Sequence, residues 1–344
     1  MNDHINNILV IRLAGLGDML LTLSAISPIK KMYHQSKIYF LTDKTNLDFL
    51  KCFDFVEETF EYKRGVKNII ELIRLLKNLK IDTIINFERA FKKTFISYLI
   101  KSPVRIGYDI FPNNLFNTQS YPDKKDDYSV HLRERYFTLT KELGLKNYDI
   151  LLNFTPTKSA IKNVENFFKE NNLNPEKEII VGINPVTGFK CKYWLNDRWA
   201  KVADYLIEKK KVKVILTYGP SDDQLNTCLD IISKMKYKPI LSFKTNLIEF
   251  GALLKKLDLF TCLDSGPFHF AVSLDIPTIS LWGRGNLKQW GPEGNLHFTV
   301  TKKVPCSPCN KFDCENNICM KSITIDDVIL NIEKIFDSIK SRKI

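Results

Sequence analysis

Short apolar runs alternate with segments of helical length through both halves of this chain, and this alternation limits the folds that it can adopt. The apolar runs are rich in β-branched residues, which is typical of buried strands, and the segments between them carry apolar residues at helical spacing. The predicted strands are Asn7–Leu13, Lys37–Leu41, Asp82–Asn86, Ile179–Ile183, Val212–Leu216, Leu259–Leu263 and Thr278–Leu281. The predicted helices are Asp18–Met32, Glu71–Leu79, Asp197–Lys210, Asp222–Met235 and Leu247–Lys256. This order of elements predicts an α/β protein with parallel sheets flanked by helices.

The chain is long enough for two domains, because 344 residues exceed the usual size of one. Thr155-Pro156-Thr157 interrupts the first series of elements, and a new strand follows residues 171–175. We therefore predict two Rossmann-like domains that face a central cleft, over residues 1–160 and 175–323. Apolar residues on one helical face predict a terminal helix over residues 324–341.

The chain is basic, with a net charge of +12. The densest basic segment, residues 63–93, holds nine Lys or Arg against three acids. Such a balance favours anionic partners, among them phosphorylated sugars and acidic lipid surfaces, although a solvated lysine-rich surface is the alternative. No nucleic-acid-binding motif accompanies the charge, so we expect no nucleic-acid partner.

Two sequence features bear on location. No run of about 18 apolar residues occurs, so no transmembrane helix is expected. Residues 1–4 lack the basic and apolar regions of a signal peptide. We expect a cytoplasmic protein, with peripheral contact to the cytoplasmic face of the membrane as a further expectation.

The most informative loop follows the apolar run Leu257–Leu263 and reads Asp264-Ser265-Gly266-Pro267-Phe268-His269. In open α/β sheets, ligands bind at the carboxyl ends of strands, and a helix that begins there offers N–H groups to an anion. This loop therefore predicts a diphosphate site. A core histidine that caps its own helix is the alternative for His269.

A second loop, in the first half, joins the first strand to the first helix through Ala14-Gly15-Leu16-Gly17-Asp18. Glycines permit a tight turn, but the third glycine of a dinucleotide-binding fingerprint is missing. Asp18 begins the helix. It is either a catalytic group or an acid that complements the helix dipole.

Two further loops follow strands of the second half. Thr187 and backbone N–H groups after Ile179–Ile183 can bind phosphate oxygens, and Lys192 can neutralise them. Asp222, after Val212–Leu216, can hold ribose hydroxyls or cap a helix.

Taken together, these residues resemble glycosyltransferase family 9, the ADP-heptose:lipopolysaccharide heptosyltransferases. The resemblance spans nearly the whole chain. Its motifs are Gly17-Asp18, Arg105-Ile106-Gly107-Tyr108, Lys192-Tyr193-Trp194, Gly219-Pro220, Asp264-Ser265-Gly266-Pro267-Phe268-His269, Trp290-Gly291-Pro292 and the cysteine-containing tail. The resemblance implies a GT-B fold, with the acceptor on the N-terminal domain and the sugar nucleotide on the C-terminal domain. It also implies inverting transfer without a catalytic metal or other catalytic cofactor.

The resemblance also assigns roles to individual residues. Asp18 matches the proposed general base, and Asp264 matches the acid that grips the donor sugar. The other donor-binding residues that it implies are Thr187, Gly188 and Lys192 at the diphosphate, Asp222 at the ribose, Thr245 near adenine, and Ser265, Gly266 and His269 at the leaving diphosphate. Arg284 is a departure, because a threonine is common after the matching glycine.

Basic residues after a strand of the first half are candidates for acceptor binding. Arg89, Lys92 and Lys93 would suit phosphorylated inner-core sugars. The leading hypothesis is heptosyl transfer from ADP-heptose to an anionic lipopolysaccharide core. Transfer to a protein or another glycan is one alternative, and a non-catalytic sugar-nucleotide-binding protein is another. The oligomeric state stays open.

Four of the eight cysteines crowd into a segment, residues 306–319, in the order Cys306-x2-Cys309-x4-Cys314-x4-Cys319. Four thiolates so close in sequence could bind one structural zinc or iron ion. Free thiols or adventitious disulfides are the alternatives, although a cytosolic chain argues against disulfides.

Overall fold

The chain forms two compact units, residues 1–155 and 156–344, in a computed structural model that describes residues 5–123, 127–309, 311 and 313–343. In the described residues, each unit contains a parallel sheet of six strands. The α/β class predicted from the alternating pattern is therefore confirmed.

The first unit builds its sheet in the order β3-β2-β1-β4-β5-β6. Its strands are β1 (Asn7–Ile11), β2 (Lys37–Thr42), β3 (Val56–Glu61), β4 (Thr83–Asn86), β5 (Val104–Asp109) and β6 (Gln119–Pro122). Its α-helices are α1 (Leu16–Met32), α2 (Leu47–Leu50), α3 (Val66–Asn78), α4 (Phe91–Ile100) and α5 (Leu132–Phe137). Single turns of 3₁₀ helix lie at Lys44–Asn46, Asn113–Phe116 and Lys141–Leu143.

The central strands of this unit explain its core. β1 lies between β2 and β4, so its apolar side chains are buried, and Ile8 to Ile11 are fully enclosed. Helix α1 is buried from Met19 to Ile29 and also contacts α5. A helix enclosed in this way reads as apolar nearly all round. The loop from β1 to α1 therefore joins two packed elements, β1 between two strands and α1 against α5.

The second unit builds its sheet in the order β12-β11-β10-β7-β8-β9. Its strands are β7 (Ile180–Asn184), β8 (Lys213–Leu216), β9 (Ile240–Leu241), β10 (Leu259–Leu263), β11 (Thr278–Trp282) and β12 (His297–Thr301). Its α-helices are α6 (Lys158–Glu170), α7 (Asn196–Lys210), α8 (Asp222–Ser233), α9 (Leu247–Leu254), α10 (Gly266–Ser273), α11 (Leu287–Trp290), α12 (Ile318–Lys321) and α13 (Ile325–Lys343), with one 3₁₀ turn at Lys190–Lys192.

The order of strands in the second unit places the predicted donor loops together. β10 pairs with β7 on one side and with β11 on the other, all in parallel. Loops that follow parallel strands leave the sheet at the same edge. The loops after β7, β10 and β11 are therefore neighbours.

Candidate functional site

Asp18 lies in the first turn of α1, directly after the loop that leaves β1. No side chain caps this helix at Gly15. The Asp18 side chain is about one-third exposed, at 36%. An acid here is stabilised by the N-terminal end of the helix dipole, and it can still be reached from solvent.

One oxygen of the Asp18 carboxylate is held by two donors. Oδ1 accepts a hydrogen bond from Arg12 Nη2 at 2.8 Å and a second one from the Tyr136 hydroxyl. The same Arg12 nitrogen also donates to the Tyr136 oxygen at 2.7 Å, so the three groups form a closed triangle. In the described part of the chain, no hydrogen bond reaches Asp18 Oδ2. The carboxylate is therefore fixed by one oxygen and presents the other.

Arg12 is buried, and its charge is balanced on both sides. Its Nη1 donates to the Phe87 carbonyl at 3.1 Å and lies 3.8 Å from Glu88 Oε1. Burial by itself lowers the pKa of Arg12, but Tyr136, Asp18 and Glu88 outweigh it and raise that pKa above its ordinary value. Arg12 thus stays charged at any pH at which a protein is folded.

Tyr136 is a permanent donor in this triangle. Burial, followed by the negative charge of Asp18, raises the pKa of Tyr136 well above its ordinary value. Its ring also packs under the Arg12 guanidinium, whose carbon is 4.8 Å from the ring centroid. The hydroxyl therefore keeps its proton and directs it at Asp18.

Arg12, Tyr136 and Glu88 are functional candidates that the sequence analysis missed. Arg12 gave one signal, because a charged residue at the end of an apolar strand is unusual at a buried position. Tyr136 gave none, since it lies 118 positions from its partner Asp18 and only the fold brings them together.

The three predicted acceptor-binding cations do not act as one cluster. Arg89 forms a two-bonded ion pair with Asp123, at 2.6 and 2.8 Å, and this hydrogen bonding raises the pKa of Arg89. Lys93 lies over the ring of Tyr62 at 5.2 Å, whereas Lys92 is exposed at the start of α4. The positive charge at this helix start thus comes from Lys92 and Lys93.

In the second unit, Lys192 and Asp264 form an ion pair. Lys192 lies after β7, and its Nζ is 2.6 Å from Asp264 Oδ2 and 3.0 Å from the Asp264 carbonyl oxygen. Both side chains are largely buried, with exposed fractions of 16% and 9%. The structure therefore brings together the residues that were predicted to meet the diphosphate and the donor sugar.

Two residues near this pair were not predicted to act there. Gly285 lies so close that a Cβ atom on it would meet Asp264 Oδ2 at 2.4 Å. Arg284 carries a second cation, whose guanidinium carbon is 5.7 Å from the Phe189 ring, while Lys192 Nζ is 5.8 Å from the same ring. Two positive charges therefore lie near the ring of one exposed aromatic side chain. The departure at Arg284 adds a cation to the site.

The loop after β10 leads into α10 without a side-chain cap. Ser265 is the capping residue, but its hydroxyl donates to the Leu263 carbonyl at 3.1 Å instead of accepting from the helix. Gly266 begins the helix. The first turn thus keeps N–H groups that can bind an anion.

His269 is buried in α10 and lies between aromatic rings. Its ring centroid is 5.0 Å from that of Phe268 and 5.7 Å from that of Trp290. This environment is compatible with the core histidine of the sequence analysis as well as with a group that meets a ligand at the helix start.

The remaining donor-binding candidates lie after neighbouring strands. Thr187 is buried after β7, and its carbonyl accepts from the Tyr193 hydroxyl at 3.1 Å, while Gly188 has open space around it. Asp222 is exposed in the first turn of α8, where Ser221 is the residue that caps the helix. Thr245 is half-buried before α9, in the segment that follows β9. Asp222 and Thr245 follow strands beyond β7 on the same side of the sheet.

The cysteine segment does not form the predicted metal site in the described residues. Cys306 is exposed, Cys309 and Cys314 are half-buried, and Cys319 is buried. Burial, with a smaller contribution from nearby Cys306 and Cys309, raises the pKa of Cys319. Among residues 5–123, 127–309, 311 and 313–343, no three His, Cys, Asp or Glu side chains are placed to hold one ion. We therefore assign no ion to Cys306, Cys309, Cys314 and Cys319.

No α-helix in the described ranges is both long and apolar enough to cross a bilayer.

The chain is similar in sequence to known heptosyltransferases. A family model described as glycosyltransferase family 9 (heptosyltransferase) matches residues 69–319. The lipopolysaccharide heptosyltransferase 3 of Escherichia coli K12 is 27% identical over 333 residues, which cover 93% of this chain and 95% of that protein. The lipopolysaccharide core heptosyltransferase OpsX of Haemophilus influenzae is 25% identical over 305 residues, which cover 85% of this chain and 83% of that protein.

Solved structures are similar over nearly the whole chain. A glycosyltransferase of family 9 from Veillonella parvula superposes with a TM-score of 0.84 at 21% identity, covering 97% of this chain and 98% of that one. The E. coli heptosyltransferase WaaC with ADP has a TM-score of 0.74 at 17% identity, covering 96% and 99%. These similarities confirm the GT-B fold class with its two Rossmann-like units.

Proposed function

The chain belongs to glycosyltransferase family 9, and on that premise we propose that it transfers heptose from ADP-heptose to a hydroxyl of an anionic lipopolysaccharide core. Curated relatives of nearly full length are lipopolysaccharide heptosyltransferases, and one similar solved structure is a heptosyltransferase with ADP. The observation that carries the proposal is the Asp18 carboxylate, which is anchored through one oxygen and presents the other at the end of β1.

Asp18 acts as the general base in the proposed mechanism. Its Oδ2 accepts the proton of the acceptor hydroxyl while the oxygen of this hydroxyl attacks the anomeric carbon of the donor sugar. The bond from this carbon to the diphosphate breaks, its electron pair leaves with ADP, and the configuration at the anomeric carbon is inverted. Arg12 and Tyr136 position the base, because both bind Oδ1 and leave Oδ2 for the proton.

The second unit binds the donor. Lys192, Arg284 and the N–H groups at the start of α10 meet the diphosphate, whose negative charge grows as the glycosidic bond breaks. Asp264 accepts hydrogen bonds from sugar hydroxyls, Asp222 from the ribose, and Thr245 borders the adenine. His269, Ser265, Thr187 and Gly188 complete the donor site. The protein's own cations supply the charge stabilisation, so the proposed reaction uses no catalytic cofactor.

Lys92 and Lys93 bind the acceptor through its phosphate groups in this proposal. Both lie at the start of α4, at the carboxyl end of β4, and neither is neutralised by an acid in the described residues. Arg89 also borders the acceptor in this proposal, although its own charge is matched by Asp123. We place the reaction on the cytoplasmic side of the inner membrane, where the acceptor would be presented.

A donor-consumption assay tests the proposal. The purified chain is given ADP-heptose, UDP-sugars or GDP-sugars, each with and without purified lipid A–core acceptor. We expect release of ADP from ADP-heptose that depends on the acceptor. Acceptor-dependent consumption of a UDP- or GDP-sugar instead would refute the donor assignment, and release of ADP from ADP-heptose that does not increase with the lipid A–core would refute the acceptor.

A further inference from the structure

An exposed apolar surface lies on the first unit, outside the residues assigned to chemistry. Phe91, Phe95 and Tyr98 lie at helical spacing along α4 and are 41%, 38% and 46% exposed. Phe111 and Leu115, on the adjoining segment before β6, are 79% and 68% exposed. We call these five residues, together with Phe116, the aromatic face.

Three rings of α4 pack around Phe116, which lies on the same segment as Phe111 and Leu115. The ring of Phe116 lies 5.5 Å from Phe91, 5.7 Å from Phe95 and 5.2 Å from Tyr98, between centroids. Single exposed apolar residues are ordinary, but a group that packs together and stays open to solvent marks an interaction site. The rings hold one another in place before any partner arrives.

Positive charge surrounds the aromatic face. The chain from Arg89 to Leu115 contains five Lys or Arg and one acid, Asp109, and Arg89 is itself paired with Asp123. Lys92 and Lys101 are exposed at the two ends of α4, and the Arg105 guanidinium carbon lies 5.7 Å from the Tyr98 ring. Aromatic side chains with cations around them match the interface of an anionic bilayer, where rings enter the headgroup region and cations meet lipid phosphates.

We propose that the aromatic face inserts into an anionic membrane surface, with the cations around it bound to lipid headgroups. A second copy of the chain fits this surface less well, because two such faces would oppose positive charge in a protein whose net charge is already +12. This proposal rests on the proposed function, because an acceptor anchored in lipid is the reason to expect a membrane near the chain.

The test is binding of the purified full chain to large unilamellar vesicles of phosphatidylcholine, with and without phosphatidylglycerol, measured by flotation. We expect binding only when the anionic lipid is present, and we expect it to weaken with salt. Phe111→Ser with Leu115→Ser should weaken binding about tenfold or more, because two apolar side chains no longer leave water. Lys92→Gln with Lys101→Gln should weaken it about fivefold for each lysine removed.

Matched variants elsewhere provide the controls. Leu229→Ser with Leu330→Ser changes two exposed apolar side chains on α8 and α13, which are 46% and 56% exposed against 79% and 68% for Phe111 and Leu115. Lys162→Gln with Lys169→Gln removes the same charge from exposed positions of α6. Both control pairs should bind vesicles like the parent, and equal loss in the controls and the test variants would overturn the proposal.

Three further outcomes separate membrane binding from the proposed function and from self-association. Vesicle binding needs neither donor nor acceptor, so its absence in a chain that still transfers heptose overturns the aromatic face alone. A smaller mass in sedimentation for Phe111→Ser with Leu115→Ser would show that a second copy covers the surface, and this would also overturn it. Conversely, vesicle binding by a chain that fails to use ADP-heptose would support the membrane surface while the function fails.

Discussion

Breaking the ion pair between Lys192 and Asp264 should lower stability whichever partner is replaced, but the two replacements should differ in their effect on nucleotide binding. Lys192→Met keeps the length of the side chain and removes its charge, and Asp264→Asn keeps the shape and removes the other charge. Because both groups are largely buried at 2.6 Å, each single variant leaves an uncompensated charge. Removal of one partner of such a pair costs about 3 kcal/mol of the free energy of unfolding.

This cost can be translated into a melting temperature. For a unit of the size of residues 156–344, about 3 kcal/mol lowers the Tm by about 6–12 °C. The double variant leaves no unpaired charge, so its loss should be well below the sum of the two single losses. An exposed pair gives the control: Lys190 and Asp223 lie 3.4 Å apart at 82% and 75% exposure, and the same substitutions there should change the Tm by no more than about 2 °C.

Nucleotide binding should distinguish the two partners. Lys192→Met loses a charged contact to the diphosphate, so the Kd for ADP should rise about tenfold to a hundredfold. Asp264→Asn frees Lys192 for the diphosphate, so ADP should bind at least as tightly as it binds the parent. The same variant should no longer bind ADP-heptose more tightly than ADP, because the contact of Asp264 with the sugar is lost.

Calorimetric unfolding and titration calorimetry measure both effects on the same samples. A loss of Tm in the double variant equal to the sum of the two single losses would refute the reasoning. An equal rise of the Kd for ADP in both single variants would also refute it.

Three further predictions concern the Asp18 site, the donor site and the buried Tyr108. Arg12→Lys replaces the planar guanidinium that donates to Asp18 Oδ1 and Tyr136→Phe removes the second donor, so kcat should fall about tenfold while the Kd for ADP-heptose is unchanged; a parallel rise of Kd in titration calorimetry would contradict a positioning role. Arg284→Gln should raise the Kd for ADP about tenfold and reduce its dependence on salt, whereas an unchanged Kd would place this cation outside the donor site. Burial raises the pKa of Tyr108 to about 12, above its value of about 10 in the unfolded chain, so this tyrosine's contribution to stability is complete below pH 10 and is lost as the pH rises toward 12. Denaturant unfolding between pH 8 and 11 should show this loss, and Tyr108→Phe should reduce it, since the buried Tyr108 hydroxyl has no hydrogen-bond partner in the described residues.

The central strands of both sheets could be predicted because their side chains are buried on both faces. Leu259–Leu263 was predicted with the bounds that β10 has, and α9 begins at Leu247 as predicted. The edge strands, and β5 beside the edge strand β6, were missed because they lack such runs. β3 reads Val-Glu-Glu-Thr-Phe-Glu, and β6 has four residues, all at least partly exposed. A strand of this kind is defined by its neighbour in the sheet more than by its own sequence.

Single residues of the candidate site could be predicted from their loops, but the contacts between residues of different loops could not. Asp264 and Lys192 could each be singled out, because both follow apolar strands, but their contact depends on the pairing of β10 with β7. The pair between Arg89 and Asp123 joins residues 34 positions apart, and no local pattern distinguishes Arg89 from a cation that is open to an acceptor.

Turnover by Asp18→Asn tests the central claim most directly. The substitution keeps the size of the side chain and an oxygen that can accept from Arg12 and Tyr136, but it removes the charged group that accepts the proton. We predict that transfer from ADP-heptose to the lipid A–core acceptor, followed as ADP release in a single turnover, falls by about a hundredfold or more, while titration calorimetry gives the parent's Kd for ADP-heptose. Turnover by Asp18→Asn close to that of the parent would contradict the account, because the anchored carboxylate would then have no part in the chemistry.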